Sequence, residues 1–349
     1  MTSSIPPLAG GGVGEIGPLL TTVVGSLPKP AWLFDATNRL DGWRSSGDLL
    51  RQAQDDATRL AILDQEEAGV DIVSDGEQRR ESFIYYFQRR LEGFDYQKRG
   101  IKSIRRGHNT MLVPTIVAPL RRREPITLDD LRFLRAHTRR RVKMTLVGPM
   151  TLADTSLDDY YHDERAMAMD AAVAINQEIL DLQDAGCDVV QIDEPVFSRY
   201  PEKTAEWGIE CLDRCLDGVS IATAVHICFG YPHPDRPRDW RFGYEALLPH
   251  LARSRIRQLS LEFEAPAIDV SLLAAVAHKE IIFGCIATGT HEVESPEHVA
   301  QRLREALRFI PPERLFPAPD CGLVVTSPEL ARAKLAAMVR GAELALRRP

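Results

Sequence analysis

The chain has 349 residues, of which 44% are hydrophobic and 27% are charged, a composition typical of an ordinary globular protein. Its formal net charge of −7 argues against a general nucleic-acid binder, which normally carries a large excess of basic residues. No stretch reaches the roughly 18 to 20 apolar residues that span a bilayer, so neither a nucleic acid nor a membrane is predicted as a partner.

The N-terminal residues 1–20 contain many prolines and glycines and predict a flexible lead-in. They have neither the basic region nor the apolar region of a secretory signal. The remaining residues, 21–349, are predicted to form a single domain. Six cysteines in a long chain without a signal do not indicate a disulfide framework, so we expect reduced thiols and a cytoplasmic protein.

Short apolar β-runs alternate along the chain with longer helical patterns. The runs are continuously apolar, which is typical of strands covered on both faces in a parallel sheet. Eight strands are predicted, over residues 21–26, 70–77, 142–149, 188–195, 222–228, 257–264, 280–287 and 315–322. Helical patterns occupy residues 48–68, 164–185, 296–309 and 328–347.

This alternation predicts an α/β fold with right-handed crossovers. Eight strands are the number that closes a (βα)8 TIM barrel. An open doubly wound sheet is the alternative, but no Gly-rich dinucleotide motif follows the first strand. Residues 101–124 fall outside the eight units, and we interpret them as a hairpin inserted after the second βα unit.

Polar and reactive residues occur where the predicted strands end. These residues are Ser26, Glu77, Asp193, His226, Cys228, Glu262 and Cys321. The C-terminal ends of TIM-barrel strands converge on one mouth, where catalytic loops lie. A shared functional site explains this pattern better than a polar core does.

Four of these residues predict a zinc site. His226 and Cys228 lie two positions apart in one strand, so their side chains point to the same face. Glu262 and Cys321 end two other strands. Thiolate, imidazole and carboxylate are the usual zinc ligands, and thiolates disfavour magnesium and calcium. The other four cysteines are interpreted as buried, inert thiols, namely Cys187, Cys211, Cys215 and Cys285.

A complete set of four protein ligands is typical of structural zinc. At the mouth of a barrel, however, the ion can exchange its carboxylate ligand for an incoming thiol. Coordination lowers the pKa of that thiol, which then reacts as a thiolate near neutral pH. The pattern therefore predicts alkyl transfer to sulfur, without identifying the thiol.

Several short motifs carry a resemblance to a known family. They are TTVVGSLPKP, DGE, GPMT, QIDEP, HIC, LSLEF and PDCGL, in this order. From about residue 20 to 345, the chain resembles the C-terminal catalytic half of cobalamin-independent methionine synthase. The resemblance implies that zinc is bound by the four residues chosen above. It also implies that homocysteine is bound by Gly25, Ser26, Glu77 and Asp193.

These four positions suit an amino-acid thiol. The carboxylates of Glu77 and Asp193 suit its ammonium group, and the hydroxyl and backbone N–H of Ser26 suit its carboxylate. The alternative for both acids is a structural salt bridge to Arg79 or Arg80.

The chain departs from the family pattern on the methyl-donor side. Thr155 replaces a tryptophan beside the folate, and Arg199 replaces a glutamate that contacts it. Gly289 takes the place of the histidine that donates a proton, and His291 is a candidate substitute two residues away. Loss of that acid argues against polyglutamyl methyltetrahydrofolate as donor, because folate must be protonated to leave.

The pattern is similar to the short core methionine synthases that lack the folate-binding half. It implies a donor such as a methylated corrinoid protein, or an accessory protein. Two alternatives stay open. One is a zinc alkyltransferase acting on another thiol, similar to epoxyalkane:coenzyme M transferase, whose sulfonate would prefer cations. The other is a non-catalytic zinc barrel that binds a partner.

Overall fold

A computed structural model of the protein describes residues 19–38, 42–107, 109–230 and 243–347. The strands are β1 (Ile72–Val73), β2 (Leu91–Ile104), β3 (Asn109–Arg122), β4 (Arg141–Val147), β5 (Leu157–Asp158), β6 (Val189–Asp193), β7 (Ala222–Ile227), β8 (Gln258–Leu261), β9 (Glu280–Ile286) and β10 (Leu315–Pro319). The helices are α1 (Gly47–Ala68), α2 (Tyr85–Gln88), α3 (Leu128–His137), α4 (Pro149–Asp154), α5 (Glu164–Asp184), α6 (Pro201–Lys203), α7 (Ile209–Arg214), α8 (Tyr244–Arg253), α9 (Pro296–Ala306) and α10 (Pro328–Ala345). None of the helices within these ranges combines the length and the apolar character that a membrane crossing requires.

Seven parallel strands form a curled sheet in the order β1-β4-β6-β7-β8-β9-β10. The segment around Thr22 lies between the two edge strands and joins them. The Thr22 N–H donates to the carbonyl of Pro317 at 3.0 Å, and the Ile72 N–H donates to the carbonyl of Thr21 at 3.0 Å. Residues 21–26 therefore occupy the eighth strand position, and the predicted TIM barrel is confirmed.

The observed strands lie within or beside the predicted runs, but most are shorter at the C-terminal end. The 70–77 run contains only β1, the 257–264 run ends at Leu261, and the 315–322 run ends at Pro319. The residues left over belong to the turns that follow each strand. These turns contain Glu77, Glu262 and Cys321, whereas Asp193 and His226 lie within β6 and β7.

The predicted hairpin is present and is longer than residues 101–124. It consists of the antiparallel strands β2 and β3, and it lies between β1 and α3. The hairpin starts at Leu91, because β2 includes a mostly half-buried stretch that precedes residue 101. Register shifts at 92/94 and 95/99 interrupt the alternation along that stretch, which hides the strand from pattern reading.

Apolar side chains cover both faces of the barrel sheet, one layer inside the barrel and one outside it. Alternate strand residues face inward and form a small cluster that includes Val189, Ala222, Ala224 and Phe316. Their neighbours along the strands, such as Val190 and Val225, belong to the large cluster beneath the helices. This period of two is the one expected for strands covered on both faces.

A buried polar chain runs through the barrel interior toward the mouth. The Lys143 ammonium donates to the Val23 carbonyl and to Gln191 Oε1, the latter at 3.0 Å. The Gln191 amide in turn donates to the Val24 carbonyl at 2.7 Å and to Asp193 Oδ1 at 2.8 Å. Burial lowers the pKa of Lys143 to about 7, although the nearby Asp193 carboxylate opposes that shift.

This lysine is expected to make folding stability rise with pH above neutrality. Between pH 7 and its ordinary pKa of 10.5, Lys143 binds a proton in the unfolded chain and not in the folded one. The free energy of unfolding of the wild type should therefore rise relative to Lys143→Met, by up to about 1.4 kcal/mol per pH unit. Urea denaturation at pH 7, 8 and 9 measures this difference.

Lys203→Met is the matched control, because Lys203 lies at the surface in an ion pair with Glu164. It should follow the wild-type pH dependence. Equal pH slopes for the wild type and Lys143→Met would contradict the prediction.

Candidate metal centre and thiol pocket

The structure brings the four predicted ligands together at the mouth of the barrel. His226 belongs to β7, Cys228 and Glu262 directly follow β7 and β8, and Cys321 lies two residues after β10. One donor atom from each lies within 4.8 Å of those of the other three, and all four residues are buried. The Cys228 and Cys321 sulfurs are 3.5 Å apart.

Backbone hydrogen bonds hold the loops that carry these ligands. The Asp320 carboxylate accepts from the N–H groups of residues 263, 264 and 265 at 2.9, 3.0 and 2.6 Å. This contact fastens the loop of Cys321 to the end of β8, beside Glu262. Glu262 is held further, because its N–H donates to the Tyr244 hydroxyl and its Oε1 accepts from the Phe229 N–H, at 2.7 and 2.8 Å.

The histidine supports a metal at this position. His226 Nδ1 lies 3.2 Å from the Ser260 hydroxyl, whereas Nε2 is buried and has no hydrogen-bond partner in the part of the chain that the structure describes. A buried nitrogen without a partner costs free energy. A metal ion bound to Nε2 would remove that cost, and the Ser260 hydroxyl would orient the ring through Nδ1. The two thiols, imidazole and carboxylate fit a tetrahedral zinc ion.

A cavity lies directly beside these candidate ligands. Its walls contain seven residues predicted from the sequence, namely Gly25, Ser26, Glu77, Asp193, His226, Cys228 and Cys321. Four further side chains were not predicted to lie there, namely Val24, Phe83, Arg105 and Pro195. The predicted substrate residues and three of the four candidate metal ligands thus face one space.

Glu77 is held in place by hydroxyl groups. Ser26 donates to one carboxylate oxygen, and Thr145 donates to the other at 2.7 Å. Gly25 permits this approach, since a Cβ there would lie 3.0 Å from Glu77 Oε1. Arg80 is an ionic neighbour at 3.9 Å, but it donates its shorter hydrogen bonds to the Thr145 carbonyl and hydroxyl. The salt-bridge alternative therefore holds in part for Glu77.

Asp193 has no such arginine. Within the described ranges, no Arg or Lys forms an ion pair with it, and Gln191 donates to its Oδ1 at 2.8 Å. Burial raises the pKa of Asp193 to about 7. A cation placed between Asp193 and Glu77 would offset this burial and stabilise both carboxylates.

His291 lies outside the cavity. It is exposed in the loop between β9 and α9, and so is Gly289. The Lys334 ammonium holds the same loop through Glu294 Oε2 at 2.9 Å and the Thr290 hydroxyl at 3.2 Å. The role of His291 as a proton donor stays a prediction.

The two other departures from the family pattern are buried and internally bonded. The Thr155 hydroxyl donates to the Thr151 carbonyl at 2.7 Å, within the turn that ends α4. Arg199 Nη2 donates to the Phe229 carbonyl at 2.7 Å. Both side chains support the protein backbone near the mouth, and neither lines the cavity.

Comparison with known families and proteins gives a consistent result. Residues 19–344 match the family described as "Cobalamin-independent synthase, Catalytic domain". A protein of Sulfolobus acidocaldarius named methionine synthase is 32% identical over 328 residues, covering 94% of this chain and 92% of its own. The methionine synthase of Thermococcus kodakarensis is 32% identical over 336 residues, covering 95% of each chain.

Solved structures extend the comparison to the fold. A B12-independent methionine synthase from Shewanella sp. W3-18-1, in complex with selenomethionine, matches with a TM-score of 0.89 and 38% identity. The match covers 94% of this chain and 98% of that one. A putative vitamin-B12 independent methionine synthase from Listeria monocytogenes matches with a TM-score of 0.72 at 21% identity, covering 95% and 98%, and supports the fold alone.

Proposed function

The chain belongs to the cobalamin-independent methionine synthase family, and on that premise we propose that it methylates the thiol of homocysteine to form methionine. We propose further that the enzyme depends on zinc held by His226, Cys228, Glu262 and Cys321. Membership in the family supports a methyltransferase.

One observation carries the proposal, namely that three of the four candidate metal ligands and two carboxylates line a single cavity. A zwitterionic thiol needs both. Its sulfur requires a soft metal site, and its ammonium requires anions. When bound, zinc lowers the pKa of a coordinated thiol, so that the thiol reacts as a nucleophile near neutral pH.

The protein residues supply binding and orientation. Glu77 and Asp193 would receive the ammonium group, and Cys228 and Cys321 line the same cavity, where the sulfur would lie. Glu77 is already fixed by Ser26 and Thr145, so little side-chain entropy is lost on binding.

The methyl donor is proposed to be a compound other than polyglutamyl methyltetrahydrofolate. Thr155 and Arg199 are engaged with the protein backbone, and Gly289 offers no acid at the family's proton-donor position. A methylated corrinoid protein, or donation that requires an accessory protein, is consistent with these residues. His291 is proposed as the proton donor if its loop moves over the cavity.

The two carboxylates of the cavity favour homocysteine, which carries an ammonium group, over coenzyme M, which has none. Two carboxylates beside the metal ligands favour an ammonium group over a sulfonate.

The six cysteines lie in the described residues as free, buried thiols, which supports the proposed cytoplasmic location. We retain residues 21–349 as one proposed domain, while residues 1–18 lie outside the described ranges.

Complementation of a methionine auxotroph tests the function. Expression of this chain should restore growth on homocysteine without methionine, and growth with and without added cobalamin identifies the type of donor. A requirement for cobalamin would indicate a methylated corrinoid donor. If zinc-loaded protein accumulates but homocysteine supports no growth under either condition, this host does not support homocysteine methylation by the chain. Purified enzyme with homocysteine and a methylcorrinoid donor then decides, and the absence of methionine in that assay would refute the proposed function.

A further inference from the structure

The tip of the inserted hairpin places an arginine in the wall of the cavity beside the candidate metal ligands. Arg105 directly follows β2 and lines the same cavity as Glu77 and Cys228. Arg105, Arg106 and Gly107 have φ values of 51°, 57° and 85°, so the chain reverses through three successive left-handed residues. The hairpin is thus part of the site and not only an appendage.

The barrel fixes this tip through two hydrogen bonds to its backbone. The Arg105 N–H donates to Asp154 Oδ2 at 3.0 Å, at the end of α4. The Arg106 N–H donates to the Tyr200 hydroxyl at 2.7 Å, and that hydroxyl contacts Asp154 Oδ1 at 3.3 Å. These bonds stabilise an otherwise unfavourable backbone and direct the Arg105 side chain inward.

The guanidinium group of Arg105 has unused hydrogen-bonding capacity. Its Nε is buried and has no hydrogen-bond partner among the residues that the structure describes. Nη1 lies against the loop after Cys228, since a Cβ on Gly230 would be 3.5 Å from it. Arg105 is also the one lysine or arginine among the described residues that line the cavity.

An amino-acid substrate brings one positive and one negative group into this cavity. Glu77 and Asp193 would bind the ammonium group. The Ser26 hydroxyl already donates its hydrogen bond to Glu77, so it is not available to the substrate carboxylate. A half-buried guanidinium whose buried Nε lacks a partner among the described residues favours an anion, and its planar fork matches a carboxylate. We propose that Arg105 binds the α-carboxylate of the amino-acid thiol. This inference rests on the proposed function and adds a residue to its substrate site.

Ligand binding without any methyl donor tests this proposal. Isothermal titration of zinc-loaded wild type and Arg105→Gln would use two probes, L-methionine and 3-(methylthio)propylamine. The second probe keeps the thioether and the ammonium but lacks the carboxylate. Arg105→Gln should bind methionine roughly ten- to a hundredfold more weakly, and should bind the amine as the wild type does. Arg105→Lys should recover part of the affinity for methionine.

Arg106→Gln is the matched control, because Arg106 lies at the same tip, pairs with Glu202 and does not line the cavity. Its affinity for both probes should equal that of the wild type. An equal loss for both probes in Arg105→Gln, or a loss of zinc, would overturn the proposal in favour of a structural role.

Unchanged methionine binding in Arg105→Gln would also overturn the proposal, and would leave an anionic group of the methyl donor as the ligand of this arginine. A wild type that binds neither probe would instead refute the proposed function, and the inference with it. The two failures are distinguishable because only the second is seen without any mutation.

Discussion

Replacement of Cys321 with serine is expected to remove bound zinc and methyl transfer together. The Cys321 sulfur lies 3.5 Å from that of Cys228, inside a group of four donor atoms. A serine hydroxyl does not ionise near neutral pH, so it cannot replace a thiolate as a zinc ligand. Zinc affinity and methionine formation should each fall by roughly a hundredfold or more. Elemental analysis after dialysis and a methionine assay measure the two losses.

Cys285→Ser provides the matched control. Cys285 is an equally buried cysteine of β9, but its sulfur contacts the Ala318 carbonyl at 3.5 Å and takes no part in the group of donors. This variant should retain zinc and activity if it folds. Retention of both properties by Cys321→Ser would refute the proposed ligand set.

Cobalt substitution separates a catalytic metal from a structural one. Cobalt in the site should change its visible spectrum when homocysteine is added, since an incoming thiol would alter the ligand set. Tight metal binding with no such change would favour the non-catalytic barrel over the enzyme.

The sequence predicts that the four candidate ligands lie together, because the barrel constrains their positions. In a parallel barrel all strands end at one mouth, so His226, Glu262 and Cys321 meet although they are far apart in the chain. The side-chain period of two places His226 and Cys228 on one face. These inferences need only strand positions, which continuous apolar runs reveal.

The sequence does not predict Arg105, because its position depends on tertiary contacts. The turn is held by Asp154 and Tyr200, which belong to distant elements. One signal was available, since an insertion between a barrel strand and the next helix lies at the mouth. The polar interior is hidden for a similar reason. Lys143 sits in an apolar run, and only the three-dimensional position of Gln191 shows what it contacts.

Replacement of Glu77 with glutamine is expected to weaken the binding of homocysteine selectively. The substitution removes one of the two negative charges proposed to receive the ammonium while keeping the shape of the side chain. A charge-assisted hydrogen bond contributes about 1.5–3 kcal/mol, so KM for homocysteine should rise roughly ten- to a hundredfold. The smaller expected effect is on kcat, because the sulfur still faces the metal ligands.

Two comparisons show whether this effect belongs to substrate binding or to the Arg80 ion pair of Glu77. The first is 4-mercaptobutyrate, a thiol that keeps the carboxylate but lacks the ammonium. Glu77→Gln should not weaken the binding of 4-mercaptobutyrate, because this thiol has no ammonium group to contact Glu77. The second is Glu81→Gln, which removes an acid four residues away that pairs with Arg89 outside the cavity. If Glu77→Gln lowered the free energy of unfolding and weakened both thiols equally, Glu77 would be a structural partner of Arg80, and Asp193 alone would remain to bind the ammonium.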